Sequence, residues 1–341
     1  MPFQIVRNNI AAMPVDAIVN AANSRLQMGS GVCGAIFNAA GPHELQRACD
    51  QIGSCATGDA VITPGFNLPA KYVIHAVGPV WQGGGYNEEA LLRSAYTRSL
   101  EIAQQNNLHS IAFPLISSGV YGYPKAQALQ VALSAIQAFL MDSADIDVYL
   151  VVFDRTAFRL SENLTGGVES YISEHYVEAI ESSQPLRRRQ MEEFCLSNAC
   201  EMAPPPCAAP TAKQSRSLEE LLSRRHEETF SEMLLRLVDE KGFAKDSIVY
   251  KRANLERSVF SKLRSNKHYA PSKSTALALC IALELNMDQA NDLLARAGFA
   301  LSPSSLSDVI VSYFIKNQQY DIFEINSALF NYGQTGLGAK G

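Results

Sequence analysis

The stretch 14–34 constrains this chain most. A largely apolar run, Pro14 to Val19, passes into NAANSRLQMGSGVCG, and a helix-forming stretch follows from Ala35. A strand, a glycine loop and a helix N-terminus in such close order point to layered α/β architecture. Backbone N–H groups of a loop of this kind, backed by the positive end of the helix, make a seat for an anion. Asn20 and Asn23 add neutral donors and acceptors suited to hydroxyls or a base. The loop therefore reads as one that holds a phosphorylated sugar.

The same alternation continues down the first half. Phe3 to Val6, Val15 to Val19, Ala60 to Thr63, Lys71 to Ala76, Ile111 to Leu115 and Asp147 to Phe153 read as short buried strands. Helices are expected over Gly34 to Gln51, closing at Gly53, then over Glu88 to Gln105 and Lys125 to Leu140. Helices on both faces of one sheet follow from that order. A second glycine loop, Ser117 to Gly122 (SSGVYG), also lies between a strand and a helix. In such folds ligands sit beyond the carboxyl ends of strands, so the loops 29–34 and 117–122 can face each other across one cleft. Glycine is also the ordinary residue of tight turns, and the pattern alone leaves phosphate binding and plain turn chemistry both open.

At 341 residues the chain fits two domains better than one. A hydrophobic share of 47% against 18% charged residues indicates globular folding. A net charge of -5 argues against wholesale coating of nucleic acid but leaves room for a local basic face. No basic-then-apolar leader follows Met1, the longest core run (Ala276 to Leu283) is too short to span a bilayer, and seven cysteines lack a framework spacing. The expectation is a cytoplasmic protein with no membrane partner, no metal and no cofactor.

Four strings in register, VDAIVNAANS, GSGVCGAIFNAAG, YVIHAVGP and FPLISSGVYGYP, resemble the macrodomain, an ADP-ribose-binding module, over residues 3 to 160. The resemblance implies a three-layer α/β fold with a mixed sheet between helices. It implies that Asn23 contacts the distal ribose, and that Gly29, Gly31 and Val32 line that ribose and the diphosphate. Ser117, Ser118, Gly119, Val120, Tyr121 and Gly122 would wrap the phosphates, with Tyr121 beside the distal ribose. Ile10 would line the adenine pocket and Phe153 would stack on the base.

Three departures from the family pattern bear on activity. Many macrodomains carry Gly-Asp-Ile where this chain has Asn8-Asn9-Ile10; Asn9 keeps an acceptor for the adenine amino group and loses the charge that strengthens the bond. Ser30 replaces a frequent glycine. Cys33 stands where the hydrolase branch often has an aspartate that activates water. A thiol is no carboxylate base; it is either a thiolate favoured by a helix N-terminus or a small buried space-filler. The resemblance implies that activity survives this change, since some related macrodomains lack that carboxylate and still hydrolyse, with Asn23 positioning the ribose and the substrate's own phosphate aiding water. Asn23 and Cys33 are thus the catalytic candidates. His75, inside an apolar strand, reads as a satisfied core residue; Asp16 and Asp154 read as turn partners, and no carboxylate pair supports a glycosidase mechanism.

An amphipathic stretch within 156–182 closes the first domain (1–183), and Pro-rich residues 184–216 read as a flexible linker. Cys195, Cys200 and Cys207 in it have poor spacing for zinc. Residues 217–341 read as all-helical, with helices near 218–240, 244–252, 255–264, 272–285, 287–296, from 306, and 321–330. The string ALALCIALELNMDQANDLLARAGF and its surroundings, over 228 to 298, resemble the helix-turn-helix domain of Xre/Cro-type regulators. Residues 255–264 take the place of the recognition helix. Eight Lys/Arg against two Asp/Glu between Lys245 and Lys273 suit phosphate contacts. Arg257, Ser261, Lys262 and Arg264 would project toward DNA, and the same basic face also suits a solvated bundle or a protein partner. Three functions fit: a hydrolase releasing ADP-ribose from mono-ADP-ribosylated targets or from ADP-ribose esters, a non-catalytic ADP-ribose reader, and a ligand-sensing DNA-binding regulator.

Overall fold

A computed structural model describes residues 3–142, 146–152 and 228–338. Phe153, Asp154, the expected helix within 156–182 and the linker with its three cysteines lie outside the described residues.

Six strands form one sheet in the order β1-β6-β5-β2-β4-β3. They are β1 (Phe3–Val6), β2 (Ala17–Ala21), β3 (Ala60–Pro64), β4 (Tyr72–Ala76), β5 (Ser110–Pro114) and β6 (Asp147–Val151). All neighbours pair parallel except β3, which runs antiparallel to β4 at one edge. The sheet is therefore mixed, and its strands read as continuous apolar runs because both faces are covered.

One face carries α1 (Gly31–Ala40) and α2 (Pro42–Ile52). Ile18 packs there with Ile36, Phe37, Leu45 and Cys49. The other face carries α3 (Glu88–Gln105) and α4 (Lys125–Asp142), where Val19, Ile74 and Phe113 meet Tyr96, Leu100 and Ile136. Consecutive side chains along β2 thus serve opposite layers. The single helix expected over 34–51 is in fact two. Gly41 adopts φ 101°, and Pro42, with no N–H to satisfy and φ preset, opens α2.

The second half is helical throughout its described residues: α5 (Phe230–Glu240), α6 (Asp246–Arg252), α7 (Arg257–Ser265), α8 (Lys273–Ala282), α9 (Met287–Arg296), α10 (Leu306–Lys316) and α11 (Ile322–Asn331). Thr229 and Glu232 form a capping box at α5, and Asn286 with Gln289 forms another at α9. Gly242 and Gly298, both at positive φ, follow α5 and α9 where those helices stop.

The helices do not stand apart from the sheet. Asn254, in the turn between α6 and α7, reaches the edge strand β1. Its Oδ1 accepts the Phe3 N–H at 2.6 Å and its Nδ2 donates to the Phe3 carbonyl at 2.9 Å. An amide side chain thereby does for the edge what another strand would do. Phe3 and Phe323 stack at 4.9 Å, Lys251 Nζ donates to the Met141 carbonyl, and one apolar cluster runs from Phe3, Leu140 and Val148 into Val249, Phe323 and Ile325.

Candidate functional site

Strands β1, β6, β5 and β2 are parallel neighbours, so the segments leaving them open on one end of the sheet. The segment after β2 contains Asn23, and the segment after β5 contains Ser117 to Gly122. These two central strands are adjacent, which puts the two loops on either side of one crevice.

Asn23 builds its own loop. Its Oδ1 accepts N–H bonds from Arg25 (3.2 Å) and Gln27 (3.1 Å), and its Nδ2 donates to the Gln27 carbonyl at 2.7 Å. Two acceptances and one donation leave the half-buried amide one N–H for a ligand hydroxyl. Cys33 is buried in the first turn of α1, where its Sγ accepts the Gly29 N–H at 3.3 Å. Close approach of α1 to this loop requires Gly34: a Cβ there would lie 2.7 Å from the Gly29 carbonyl oxygen. Gly31 takes φ 62° at the helix start, and the N-cap Ser30 makes no side-chain capping bond. The first N–H groups of α1 therefore lack the usual cap and remain available to an anion. Val32 and Gly29 are exposed beside them.

The opposing loop is held by its own bonds. Ser118 Oγ donates to the Leu115 carbonyl, Gly122 N–H to Gly119, and Tyr123 N–H to Ser117. The N–H groups of Gly119, Val120 and Tyr121 have no acceptor among the described residues. Ser117 sits at φ 63°, a costly conformation for a non-glycine residue, and its buried Oγ has no partner among the described residues. Val120 is 86% exposed at the loop tip. Tyr121 faces the other wall: its hydroxyl pKa is pushed up by burial and by the Cys33 thiol.

At the β1 side, Asn9 caps a 3-10 turn (Ile10–Ala12), its Oδ1 accepting the Ala11 N–H at 3.1 Å, so one of its acceptor positions is already used. Ile10 is buried against the α1 layer. Phe153 lies outside the described residues.

Behind the crevice, His75 is fully buried between Asn20 Nδ2 (3.1 Å from Nδ1) and Thr63 Oγ1 (2.9 Å from Nε2). With Asn20 donating, the ring proton sits on Nε2 and goes to Thr63. Burial lowers the His75 pKa to about 4, so the ring is neutral and serves the core. Asp16 accepts the His109 N–H and pairs with Lys71, which is turn chemistry.

In the helical half, Arg257, Ser261 and Lys262 are exposed on α7, while Arg264 pairs with Asp246 at 2.6 Å. Three more of the basic residues between 245 and 273 are paired: Arg252 with Glu284, Lys267 with Glu232, and Lys273 with Asp308. Four of the eight Lys/Arg in this run are thus ion-paired at its own surface. Among the described residues no His/Cys/Asp/Glu group is placed to hold a metal, and no helix is long and apolar enough to cross a membrane.

The family model for the Macro domain matches residues 19–132. An O-acetyl-ADP-ribose deacetylase of Escherichia fergusonii is 48% identical over 167 residues, covering 48% of this chain and 94% of that protein. This chain belongs to the macrodomain family. The O-acetyl-ADP-ribose deacetylase of Salmonella typhimurium is 50% identical over 167 residues, covering 48% of this chain and 93% of its own length. Among solved structures, the Oceanobacillus iheyensis macrodomain with ADP is 41% identical, covers 45% of this chain and 84% of that one, and superposes with a TM-score of 0.44. Each of these matches covers less than half of this chain.

One wall of the macrodomain crevice escapes the sequence reading. The segment after β4 abuts the β5 loop: a Cβ on Gly78 would lie 2.2 Å from Ser117 Oγ, and the Trp81 N–H donates to the Tyr121 carbonyl at 2.9 Å. Its signal in the sequence is slight, three consecutive glycines beside the chain's single tryptophan.

Proposed function

We propose that this macrodomain binds ADP-ribose in the crevice between the β2–α1 and β5–α4 loops and hydrolyses its esters, either O-acyl-ADP-ribose or ADP-ribose linked to a carboxylate side chain. The observation that carries the reading is identity of about half the residues with O-acetyl-ADP-ribose deacetylases over nearly their whole length. The geometry supports it. Uncapped N–H groups of α1, and the N–H groups of Gly119, Val120 and Tyr121 that have no acceptor among the described residues, suit a diphosphate. The remaining N–H of Asn23 suits a ribose hydroxyl, and Asn9, Ile10 and Phe153 are assigned to the adenine end.

Water oxygen bonds to the acyl carbon, the bond from that carbon to the ribose oxygen breaks, and the ribose oxygen takes a proton. The products are ADP-ribose and a carboxylic acid. The stretch 20–34 contains no Asp or Glu to act as base. Proton removal falls to the substrate's own diphosphate, with Asn23 orienting the ribose; Cys33 supports the Gly29 backbone rather than the chemistry. Calorimetric titration of the full chain with ADP-ribose, followed by a release assay on O-acetyl-ADP-ribose and on Asp/Glu-linked substrates, tests this. Binding with no release from any ester makes the protein a reader.

A second reading gives α6 and α7 a helix-turn-helix role on duplex DNA, favoured by the exposed Arg257, Ser261 and Lys262. Asn254, in the intervening turn, is committed to Phe3, and half of the basic run is ion-paired. Salt-dependent duplex binding by the full chain that Lys262→Ala weakens would support it; no duplex binding at low salt removes it.

A further inference from the structure

We infer that Glu88 is a positioning residue for the crevice: its carboxylate gathers residues 82–86 into a loop whose Trp81 backbone N–H holds the Tyr121 carbonyl, and so fixes Tyr121 against the ligand. The inference rests on the proposed ADP-ribose reading of the crevice.

The segment Val80 to Asn87 is exposed almost throughout, with Tyr86 at 67%, and three consecutive glycines make it intrinsically loose. Yet Glu88, only 2% exposed, lies beneath it. Its Oε1 accepts the N–H groups of Gln82 and Gly84, each at 3.1 Å, and its Oε2 accepts that of Tyr86 at 2.6 Å. Burial alone would raise this carboxyl's pKa; the N–H donors outweigh it and hold the group below its ordinary range, ionised at neutral pH.

A helix cap does not explain the arrangement. Glu88 is the first residue of α3, and a capping-box glutamate sits at the third and reaches back to the N-cap N–H. Here the carboxylate reaches two, four and six residues back, past the N-cap Asn87 and into the loop. What the loop then touches is the β5 loop. Trp81 N–H donates to the Tyr121 carbonyl at 2.9 Å, and its ring lies 4.6 Å from that of Tyr123. The indole also rests against Gly84, where a Cβ would come within 3.1 Å of the ring. Tyr123 in turn donates its N–H to Ser117. The turn 117–122 is closed by its own bonds, but the Tyr121 carbonyl is fixed from the β4 side.

Trp81 is the chain's single tryptophan, so its fluorescence reads this contact directly. The experiment uses the full chain as wild type, Glu88→Gln and Gly84→Ala, titrated with ADP-ribose and with ADP by calorimetry and by Trp81 emission. Gly84→Ala crowds the indole and strains a φ of 88° while leaving the Glu88 side chain itself unchanged, so it carries the test if Glu88→Gln does not fold. Both variants should red-shift Trp81 emission and weaken ADP-ribose about tenfold, the scale of one hydrogen-bonding contact. Binding of ADP, which has no distal ribose, should weaken less than about threefold, because the backbone turn that meets phosphate keeps its own bonds. Emission that shifts while ADP-ribose affinity stays put overturns the inference, as does an equal loss for both ligands. Wild-type protein that binds neither ligand removes the crevice reading itself, whereas wild-type binding that both variants retain removes only the role of Glu88.

Discussion

Replacing Asn254 with alanine tests whether the helices and the sheet are one folding unit. The side chain is 2% exposed and makes three bonds: to the Phe3 N–H, to the Phe3 carbonyl, and to the Leu337 carbonyl at 3.3 Å. Truncation removes the side-chain partner of both Phe3 backbone groups, at about 1–3 kcal/mol for each that stays dry, while the Leu337 carbonyl keeps the Asn326 Nδ2 at 3.1 Å. Asn254 also holds φ 54°, where asparagine is tolerated and alanine costs about 1 kcal/mol more. The total is about 4 kcal/mol, which at about 2–4 °C per kcal/mol lowers Tm by roughly 10 °C. Differential scanning calorimetry of the full chain reads it. A single wild-type transition should move down as a whole in Asn254→Ala, and Asn254→Gly, which accepts the backbone angle, should recover about 1 kcal/mol of the loss. Two separate wild-type transitions, or a variant within about 2 °C of wild type, would refute a continuous core.

Two further perturbations follow from the site. The unfolded His75 pKa is 6.5 and the folded value about 4, so between those values the unfolded chain binds the extra proton. The stabilisation is complete above pH 6.5 and is lost as pH falls toward 4, about 3 kcal/mol in all, and denaturant titrations of wild type and His75→Gln should differ in slope only in that window. Cys33→Ala removes a sulfur that accepts one N–H bond; ester hydrolysis should stay within about threefold of wild type in kcat, whereas a thiolate acting on substrate would cost on the order of a hundredfold.

The sheet and its helices were legible in the sequence because apolar runs of four to six residues alternate with longer amphipathic stretches, and burial on both faces produces that pattern directly. Where the reading failed, at residues 34–51, apolar spacing ran through Gly41-Pro42 without interruption; the break is a backbone event, seen in φ 101° and in the missing proline N–H. The crevice loops were legible for a local reason, since Asn23 and the glycines act within a few residues of themselves. Glu88 was not, because its partners are backbone N–H groups, which every residue has, and only the folded loop selects three of them. Asn254 was not either: its partner Phe3 is 251 positions away, and an asparagine in a helix–helix turn reads as ordinary turn chemistry. The ion pairing of the basic run was hidden for the same reason, since Glu232, Glu284 and Asp308, which pair with three of its cations, come from outside 245–273.

The central claim is turnover at Asn23 without a carboxylate in its loop. The direct measurement is kcat for deacetylation of O-acetyl-ADP-ribose by the full chain and by Asn23→Ala, with ADP-ribose affinity and Tm measured on both. The account predicts measurable wild-type turnover and a fall of about a hundredfold or more in Asn23→Ala, with the fold retained. A folded, ADP-ribose-binding wild type with no turnover, or an Asn23→Ala variant as fast as wild type, would contradict it.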